Sequence, residues 1–573
     1  SINTIGQPGL ANWDVGKVIN FESFLSSAQY WDEDLGSWDV SECLNMARMF
    51  AGATNANFDA SNWVVAQIQD YTAFSDNVSG WVLPQPPFPF IATNANIQQA
   101  VNDVLAVDPT GTTAVAPYPL IGEWNTSQVT DMSELFRFKQ QFNADISTWD
   151  VSNVTTMRQM FETCSNYNQP LNTWDTSSLT NIYLMFHNCY VFNQPLNNWN
   201  VSGVSGTNGT HVFRYCEAFN QDLDQWDVSN FTSFEDFFFR AKAFNGDVTN
   251  WDVSSATTMK SMFQIAHAFN RDISGWDVSN VEDMERMFSS ALSFNQPIGG
   301  WNVSSVTNMS NMFRDAYDFN QSINSWNVSN VTNMQAMFAA FNNYSGQGPG
   351  TFNQPLDQWD VSNVTDMSNM FHTQSTFDQD ISGWDISSLT GNGMQGMFSN
   401  GVFNQPLNGW TLPSGVTSLE NMFSRSDYNQ PLDNWDVSGI TNMRLLFWNA
   451  EFNQDISGWD VSNLTSMQAM FMGDQCKFNQ PIGNWDTSSV NDMESMFYGN
   501  IIFDQDISTW PTTTPVSVDK MFRESTYNRP LPNWKIDESR PSLNSPLPPS
   551  SDDAKVQYWW PDERRGKIFK GRT

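Results

Sequence analysis

A tryptophan returns about every 25 residues along most of this chain, and this period constrains the fold more than any other feature. Trp13, Trp38 and Trp63 are 25 residues apart, and a second run extends from Trp124 to Trp534 with most intervals between 24 and 27 residues. Such a period indicates a solenoid, in which each unit contacts mainly its neighbours. The 573 residues therefore predict elongated arrays rather than several globular domains.

The residues around each tryptophan predict the content of one repeat. The pattern L-x-x-W-x-V-x-x-V, as in "LNNWNVSGV" from Leu196, resembles the leucine-rich-repeat template with tryptophan in place of the second leucine. Alternation through W-D-V predicts a short strand, and Val306–Phe313 predicts a two-turn helix with Thr307 as N-cap. We therefore predict an α/β fold: a right-handed, leucine-rich-repeat-like solenoid of about 20 repeats in two arrays, with short parallel strands and short helices.

An asparagine recurs six residues before most of the tryptophans, within the loop sequence F-N-Q. Asn295 and Asn320 are examples, and Asp378 and Asp504 take the same place in two repeats. A regular amide column could bind sugar. The preferred interpretation is a buried ladder in which the amides satisfy backbone groups that water cannot reach.

Departures from the period divide the chain into four segments. Residues 1–80 form a first repeat array with no cap at its N-terminal end. Residues 81–123 hold a Pro-rich connector and an amphipathic helix that we predict to cap the main array, residues 124–537. Residues 538–573 form a Pro/Ser-rich linker and a basic tail.

Composition excludes several classes of partner and compartment. The net charge of −35 makes nucleic acid an unfavourable partner. The sequence contains no run of eighteen apolar residues, so we predict no membrane span. Five cysteines are too few for a disulfide framework. Cys164, Cys189 and Cys216 share one column and are best interpreted as buried free thiols, although one adjacent pair could be bridged in an oxidising compartment.

The sequence assembles no recognisable catalytic site. The four histidines share no column, and no triad, paired carboxylates, metal cluster or phosphate loop is visible, so we predict a protein without enzymatic activity and without a cofactor. An aspartate follows most tryptophans. Asp227, Asp252 and Asp277 would stack closely in neighbouring repeats, where calcium could neutralise them. The more common alternative is that each accepts hydrogen bonds from nearby Ser, Thr or backbone donors.

Sequons of the form N-x-S/T predict glycosylation if the source is eukaryotic. Eight lie in positions that we expect to be accessible, five of them four residues after a tryptophan: Asn77, Asn153, Asn208, Asn230, Asn330, Asn343, Asn363 and Asn463. Asn320 also begins a sequon, but it belongs to the predicted ladder and should carry no glycan.

Several motifs are similar to those of the BspA-type leucine-rich-repeat surface proteins. These motifs are "FNQPLNNWNVS", "FNQDISGWDVSNLTSMQAMF" and "NVTNMSNMF", and the resemblance covers about residues 1–80 and 92–537. It implies a non-enzymatic protein, extracellular or on the cell surface, used in adhesion or as scaffolding. It implies no catalytic residues.

Two functions follow from these features. In the first, copies join head to tail into a fibre, because the first array lacks a cap and the basic tail is opposite in charge to the body. The residues expected at this junction are Trp13, Trp534, Arg564, Arg565, Lys567, Lys570 and Arg572. In the second, the protein is a monomeric surface adhesin that binds a protein or a glycan on its concave face.

Overall fold

The fold is a stack of coils, seen in a computed structural model. It describes residues 9–65, 67–71, 73–82, 89–341, 350–511, 516–529 and 531. Regular elements are few in these ranges: strand β1 (Ile91–Thr93), helix α1 (Ile97–Val107), strand β2 (Asn125–Gln128) and the 3-10 turns Leu10–Asn12, Ile121–Glu123 and Ile298–Gly300. Strands β1 and β2 pair in parallel. All remaining described residues are turns, bends, isolated bridges and extended chain.

Neighbouring coils meet through parallel bridges of a single residue pair. The bridged residues stand about 25 positions apart, as in Asp283↔Asn308 and Asn308↔Asn333. They lie seven residues after the tryptophan of their coil, not in the W-D-V segment where the sequence predicts a strand. The repetitive stacked architecture is confirmed, but a strand follows the tryptophan only in the first coil of the main array, as β2 after Trp124, and the other described coils have none at W-D-V.

The tryptophan itself replaces the strand hydrogen bonds at W-D-V. Its indole Nε1–H donates to a backbone carbonyl of the preceding coil, over 3.1 Å from Trp301 to Ile273 and 3.2 Å from Trp276 to Val248. The backbone N–H of Trp301 closes a local turn onto Ile298. The W-D-V segments of these coils are therefore joined by indole hydrogen bonds and stacked side chains in place of a sheet ladder.

The predicted helices are also absent from the described coils; a ribbon of turns takes their place. In the coil of Trp251, the N–H groups of Met259, Ser261, Phe263 and Ile265 donate to carbonyls of the next coil, at 2.8 to 3.0 Å, while the N–H groups between them close turns within the coil. Ser261 and Ile265 have positive φ angles of 54° and 62°, which no right-handed helix contains. We call this segment, from the bridge residue to Ile265 and its equivalents, the turn ribbon.

A turn ribbon and a helix share the apolar spacing that led to the helix prediction. In both, residues three and four apart fall on one side of the chain. An isolated helix of about eight residues is only marginally stable in water. The ribbon gives every second N–H to a neighbouring coil, so its hydrogen bonds are supported along the whole stack. The same transfer of bonds removes the predicted N-cap: Thr307 donates through N and Oγ1 to Glu282 of the preceding coil.

Stacked aromatic columns fill the interior. Ring centroids of Phe263 and Phe269 lie 3.8 Å apart within one coil, and Trp301 and Trp326 stack at 6.5 Å between coils. The buried residues form two separate hydrophobic cores, one between Leu10 and Trp81 and the other between Ala92 and Met521. Helix α1 is present where a helix was expected, and its Ile97, Val101, Val104 and Leu105 are buried in the second core.

Candidate functional surfaces

The aspartates that follow the tryptophans occupy exposed turns and are bonded within their own coils. Asp227 Oδ1 accepts the N–H of Ser229 at 3.1 Å and its hydroxyl at 2.6 Å. Asp252 and Asp277 each accept a serine N–H at 3.0 Å, and the Ser279 bonds lower the pKa of Asp277. No group of three His, Cys, Asp or Glu side chains suited to a metal occurs among the described residues. The geometry matches the hydrogen-bond alternative.

The predicted sequons differ in what their amides already bind. Asn153, Asn230, Asn330, Asn363 and Asn463 are exposed, but the Nδ2 of each donates to a carbonyl of the preceding coil at 2.7 to 3.1 Å. Asn77 is exposed. Asn208 is half-buried and accepts from Asn181 at 3.4 Å. Asn343 lies outside the described residues.

The F-N-Q asparagines form a ladder of hydrogen bonds. Asn320 N donates to Asn295 Oδ1, and Asn353 N donates to Asn320 Oδ1, both at 3.0 Å. Gln354 Nε2 donates to the same Asn320 oxygen at 3.1 Å. The ladder satisfies loop backbone groups as predicted, but its asparagines are half-buried or exposed rather than fully buried. The reason is that the loop lies at the edge of the coil, outside the aromatic columns.

The outward residues of the turn ribbon, here called the turn face, carry the chemistry that varies from coil to coil. Most lysines and arginines between residues 124 and 531 lie there, as do His187, His211 and His372. Of the seven pairs of an arginine over an aromatic ring among the described residues, six lie on this face, including Arg214 over Tyr215 and over Phe239 at 4.9 Å, and the seventh, Arg314 over Phe341, reaches one residue beyond it. Sequence columns alone did not reveal this clustering.

A chain of charged groups crosses the turn face of five successive coils. Arg137 Nε donates to Glu162 Oε2 at 2.7 Å, and Glu162 Oε1 lies 3.5 Å from Nδ1 of His187. His187 Nε2 lies 3.0 Å from Nη1 of Arg214, whose Nε donates to Asp236 Oδ2 at 2.8 Å. Because neighbouring links join successive coils, the chain holds the coils together at one edge. The sequence suggested only scattered histidines; stacking brings His187 to Arg214 and His211 to Asp236.

The arginine determines the tautomer of His187. A guanidinium has only donors, so Nε2 of His187 accepts from Arg214 and the ring proton is on Nδ1, facing Glu162. Burial and the nearby Arg214 lower the pKa of His187, against the opposing effect of Glu162. Burial likewise lowers the pKa of His211, which lies 3.7 Å from Asp236. Both imidazoles are therefore neutral at neutral pH.

The first described coil leaves its apolar side uncovered. Trp13 is 48% exposed, whereas the corresponding tryptophans from Trp38 to Trp510 are at most 5% exposed. Val18, Phe24 and Trp31 are only partly buried, although their equivalents deeper in the stack are fully buried. At the other end of the described stack, Phe522 and Tyr527 are likewise partly buried. Trp534, Arg564, Arg565, Lys567, Lys570 and Arg572 lie outside the described residues.

The five cysteines are free and buried, as favoured from the sequence. Cys164 and Cys189 donate to carbonyls of the preceding coil at 3.0 Å, and burial raises the pKa of Cys476 to about 12. These thiols are structural and poorly reactive. Among the described residues, no helix combines the length and the apolar character that crossing a membrane requires.

Comparisons with known proteins identify the repeats. The family model described as "Mycoplasma protein of unknown function, DUF285" matches residues 3–81, 112–210, 205–292, 249–349, 347–427 and 448–542. No curated protein matches the chain. Among solved structures, the chain is similar to one titled "Crystal structure of TLR13-ssRNA13 complex", with 9% identity, 84% of this chain and 71% of that chain covered, and a TM-score of 0.16. A superposition this weak carries no argument about fold or ligand.

Proposed function

This chain belongs to the family described as Mycoplasma protein of unknown function, DUF285, and from the uncovered ends of its coil stack we propose that it is a non-enzymatic structural protein whose copies join end to end. Each copy acts without a cofactor and is one subunit of a fibre. The observation that carries this proposal is the exposed apolar cross-section of the first described coil, centred on Trp13 and Phe24.

The energetics of covering that surface favour association. Burying one large apolar side chain contributes roughly 1.5–3 kcal/mol, and Trp13, Val18, Phe24 and Trp31 are all available at one end. A contact between two different ends of a molecule repeats without closing and gives an open fibre. The start of the main array offers no such surface, because α1 packs its apolar face there.

We propose that the fibre lies outside the cell or on its surface. The resemblance of the repeats to BspA-type surface proteins supports an extracellular or cell-surface location, with glycans on the accessible sequons in a eukaryotic host. The acidic body supports partners that are proteins or neutral glycans rather than nucleic acid. We also propose that these repeats are related to leucine-rich repeats.

The test compares two exposed aromatic residues in the full chain. Trp13→Lys introduces a charge into the proposed junction, and Phe138→Lys, at a side chain 58% exposed on the turn face, is the matched control. Sedimentation velocity and negative-stain microscopy of the purified protein should show polymers for the parent and for the control, and folded monomers with the parent's circular dichroism for Trp13→Lys. Dispersed parent monomers at high concentration would refute the fibre.

A second candidate, a monomeric adhesin, is favoured by the turn face rather than by the aspartate row. Arginine, tyrosine and tryptophan are the residues most often found at binding hot spots. Arg214, Tyr215, Phe239 and Arg240 stack on one another there, whereas the aspartates are occupied by serines of their own coils. This candidate takes precedence if the parent protein proves monomeric.

A further inference from the structure

Within each array, the junctions between coils without inserted residues use the same hydrogen-bond register. Ser261 N donates to Glu285 O at 2.8 Å, and Arg286 N donates to Ser310 O at 3.0 Å. The donor stands ten residues after its tryptophan and the acceptor nine residues after the next one. Four such bonds connect most pairs of turn ribbons. A turn ribbon is therefore directional, with donors on one edge and acceptors on the other.

The first described coil has only its acceptor edge unused. The N–H groups of its ribbon donate to the second coil, as from Ser23 to Ala47 and from Leu25 to Met49, both at 2.8 Å. The carbonyls of Asn20, Glu22, Phe24 and Ser26 take the acceptor positions that a preceding coil would fill. No backbone donor reaches these four oxygens from the described residues.

The last described ribbon has the opposite edge unused. Its carbonyls accept from the coil before it, as from Ser495 N to Asp519 O at 2.8 Å. The N–H groups of Val518, Lys520, Phe522 and Glu524 occupy the four donor positions, and no backbone acceptor lies within reach of them in the described part of the chain. Four unused donors at one end therefore match four unused acceptors at the other.

We propose that the partner of the first coil is the last ribbon of a second copy, joined in the register used inside the stack. This proposal rests on the end-to-end function and names its contact: Val518, Lys520, Phe522 and Glu524 donate to Asn20, Glu22, Phe24 and Ser26 of the next copy. The pairing continues the turn ribbon across the junction and places Phe522 beside Phe24, both partly buried in the single chain. Unpaired edges of this kind are the usual templates for association between chains.

Engineered cysteines test the register in the full chain. The proposed junction aligns Glu22 with Asp519, both nine residues after their tryptophans. Equivalent positions in paired chains lie about 4.8 Å apart, within the range of Cα separations that a disulfide spans. The native cysteines are buried and do not compete. The double variant Glu22→Cys/Asp519→Cys should therefore give a ladder of covalent multimers on oxidation.

Two further variants act as controls. Glu22→Cys/Arg523→Cys places the second thiol four positions further along the ribbon, out of register, and should give no ladder. Glu285→Cys/Ser310→Cys tests the same column inside one chain and should close an intramolecular disulfide. All variants are first examined by microscopy, so that assembly is measured independently of cross-linking.

The outcomes separate the register from the function. Multimers confined to the in-register pair support the proposal. Fibres without that cross-link, or with equal cross-linking in the out-of-register pair, overturn the register and leave end-to-end assembly standing. Absence of fibres in every variant and in the parent overturns both.

Discussion

At the scale of single residues, the tryptophan column combines packing and hydrogen bonding in one side chain. Trp276 is 4% exposed, stacks on Trp251 with ring centroids 6.3 Å apart, and donates from Nε1 to Val248 O at 3.2 Å. A buried indole without a partner would lose a hydrogen bond in an apolar setting. The column therefore requires tryptophan rather than any large apolar residue.

Trp276→Ala should reduce the free energy of unfolding by about 3–5 kcal/mol, because it removes a large buried ring and leaves a cavity. Trp276→Phe retains much of the ring and should cost less than Trp276→Ala. Urea denaturation followed by tryptophan fluorescence and circular dichroism measures both. Trp13→Ala is the control, since that side chain is 48% exposed. A loss below about 1 kcal/mol for Trp276→Ala would contradict a structural role for the column.

At the scale of elements, the turn ribbon is stabilised between coils and strained within each coil. Two positions in most ribbons have a positive φ angle, including Arg286 at 56° and Ser290 at 57° in one coil. Residues other than glycine lose roughly 1–2 kcal/mol in this conformation. The hydrogen bonds donated to the next coil, as from Ser290 N to Arg314 O at 2.6 Å, hold these residues in place.

Adjacent buried serines provide a matched test of that strain. Ser289 and Ser290 are 3% and 6% exposed, but only Ser290 has a positive φ angle. Ser290→Gly should be neutral or stabilising by up to about 1 kcal/mol, because glycine adopts this conformation without steric cost. Ser289→Gly should destabilise by about 0.5–1 kcal/mol through backbone entropy. Chemical denaturation measures the difference, and equal effects at the two positions would argue against ribbon strain.

At the scale of the whole molecule, stability depends on contacts between neighbouring coils, so a local change acts first on the coils beside it. The charge chain from Arg137 to Asp236 is one such connection. Stacks of this kind behave as sums of repeat and interface terms. Loosening one interface should weaken a limited group of coils before the others.

Acidification should loosen the interface around His187. Its folded pKa is lowered by burial and by Arg214, while Glu162 acts in the opposite direction and His211 adds a further lowering effect. In the unfolded chain His187 binds a proton near pH 6.5, whereas in the folded chain it does not. The stability that neutral His187 contributes is therefore fully present above that pH and falls as the pH drops toward the folded pKa. The buried His372, with a pKa lowered to about 4, acts in the same direction.

The melting temperature should therefore be lower at pH 5 than at pH 7.5, and His187→Gln should reduce that difference. Asp277→Asn is the control, because the pKa of Asp277 is lowered by Ser279 and its titration falls well below this window. Differential scanning calorimetry at both pH values measures the effect. If the melting temperature of His187→Gln differs between pH 5 and pH 7.5 as much as that of the parent, His187 does not cause the loss of stability in acid.

The sequence by itself determined the repeat, its period, the inward columns and the helix that precedes the main array, because apolar periodicity and tryptophan spacing are local properties of the chain. It also predicted the asparagine ladder and the free thiols. It could not distinguish a helix from a turn ribbon in V-T-N-M-S-N-M-F, since both place Met and Phe on one side. The structure decided that question through hydrogen bonds between residues about 25 positions apart.

For the candidate sites too, the sequence shows which residues recur, and the structure shows what they contact. Asp227, Asp252 and Asp277 form a row in the sequence, but only the structure placed a serine donor on each carboxylate. The joining of His187 and Arg214 depends on a coil with two extra residues, whose effect on register no single repeat contains. The uncovered edges of the first and last ribbons are likewise properties of the stack. Contacts between coils, which decide these features, are long-range in the sequence and exist only once the chain has folded.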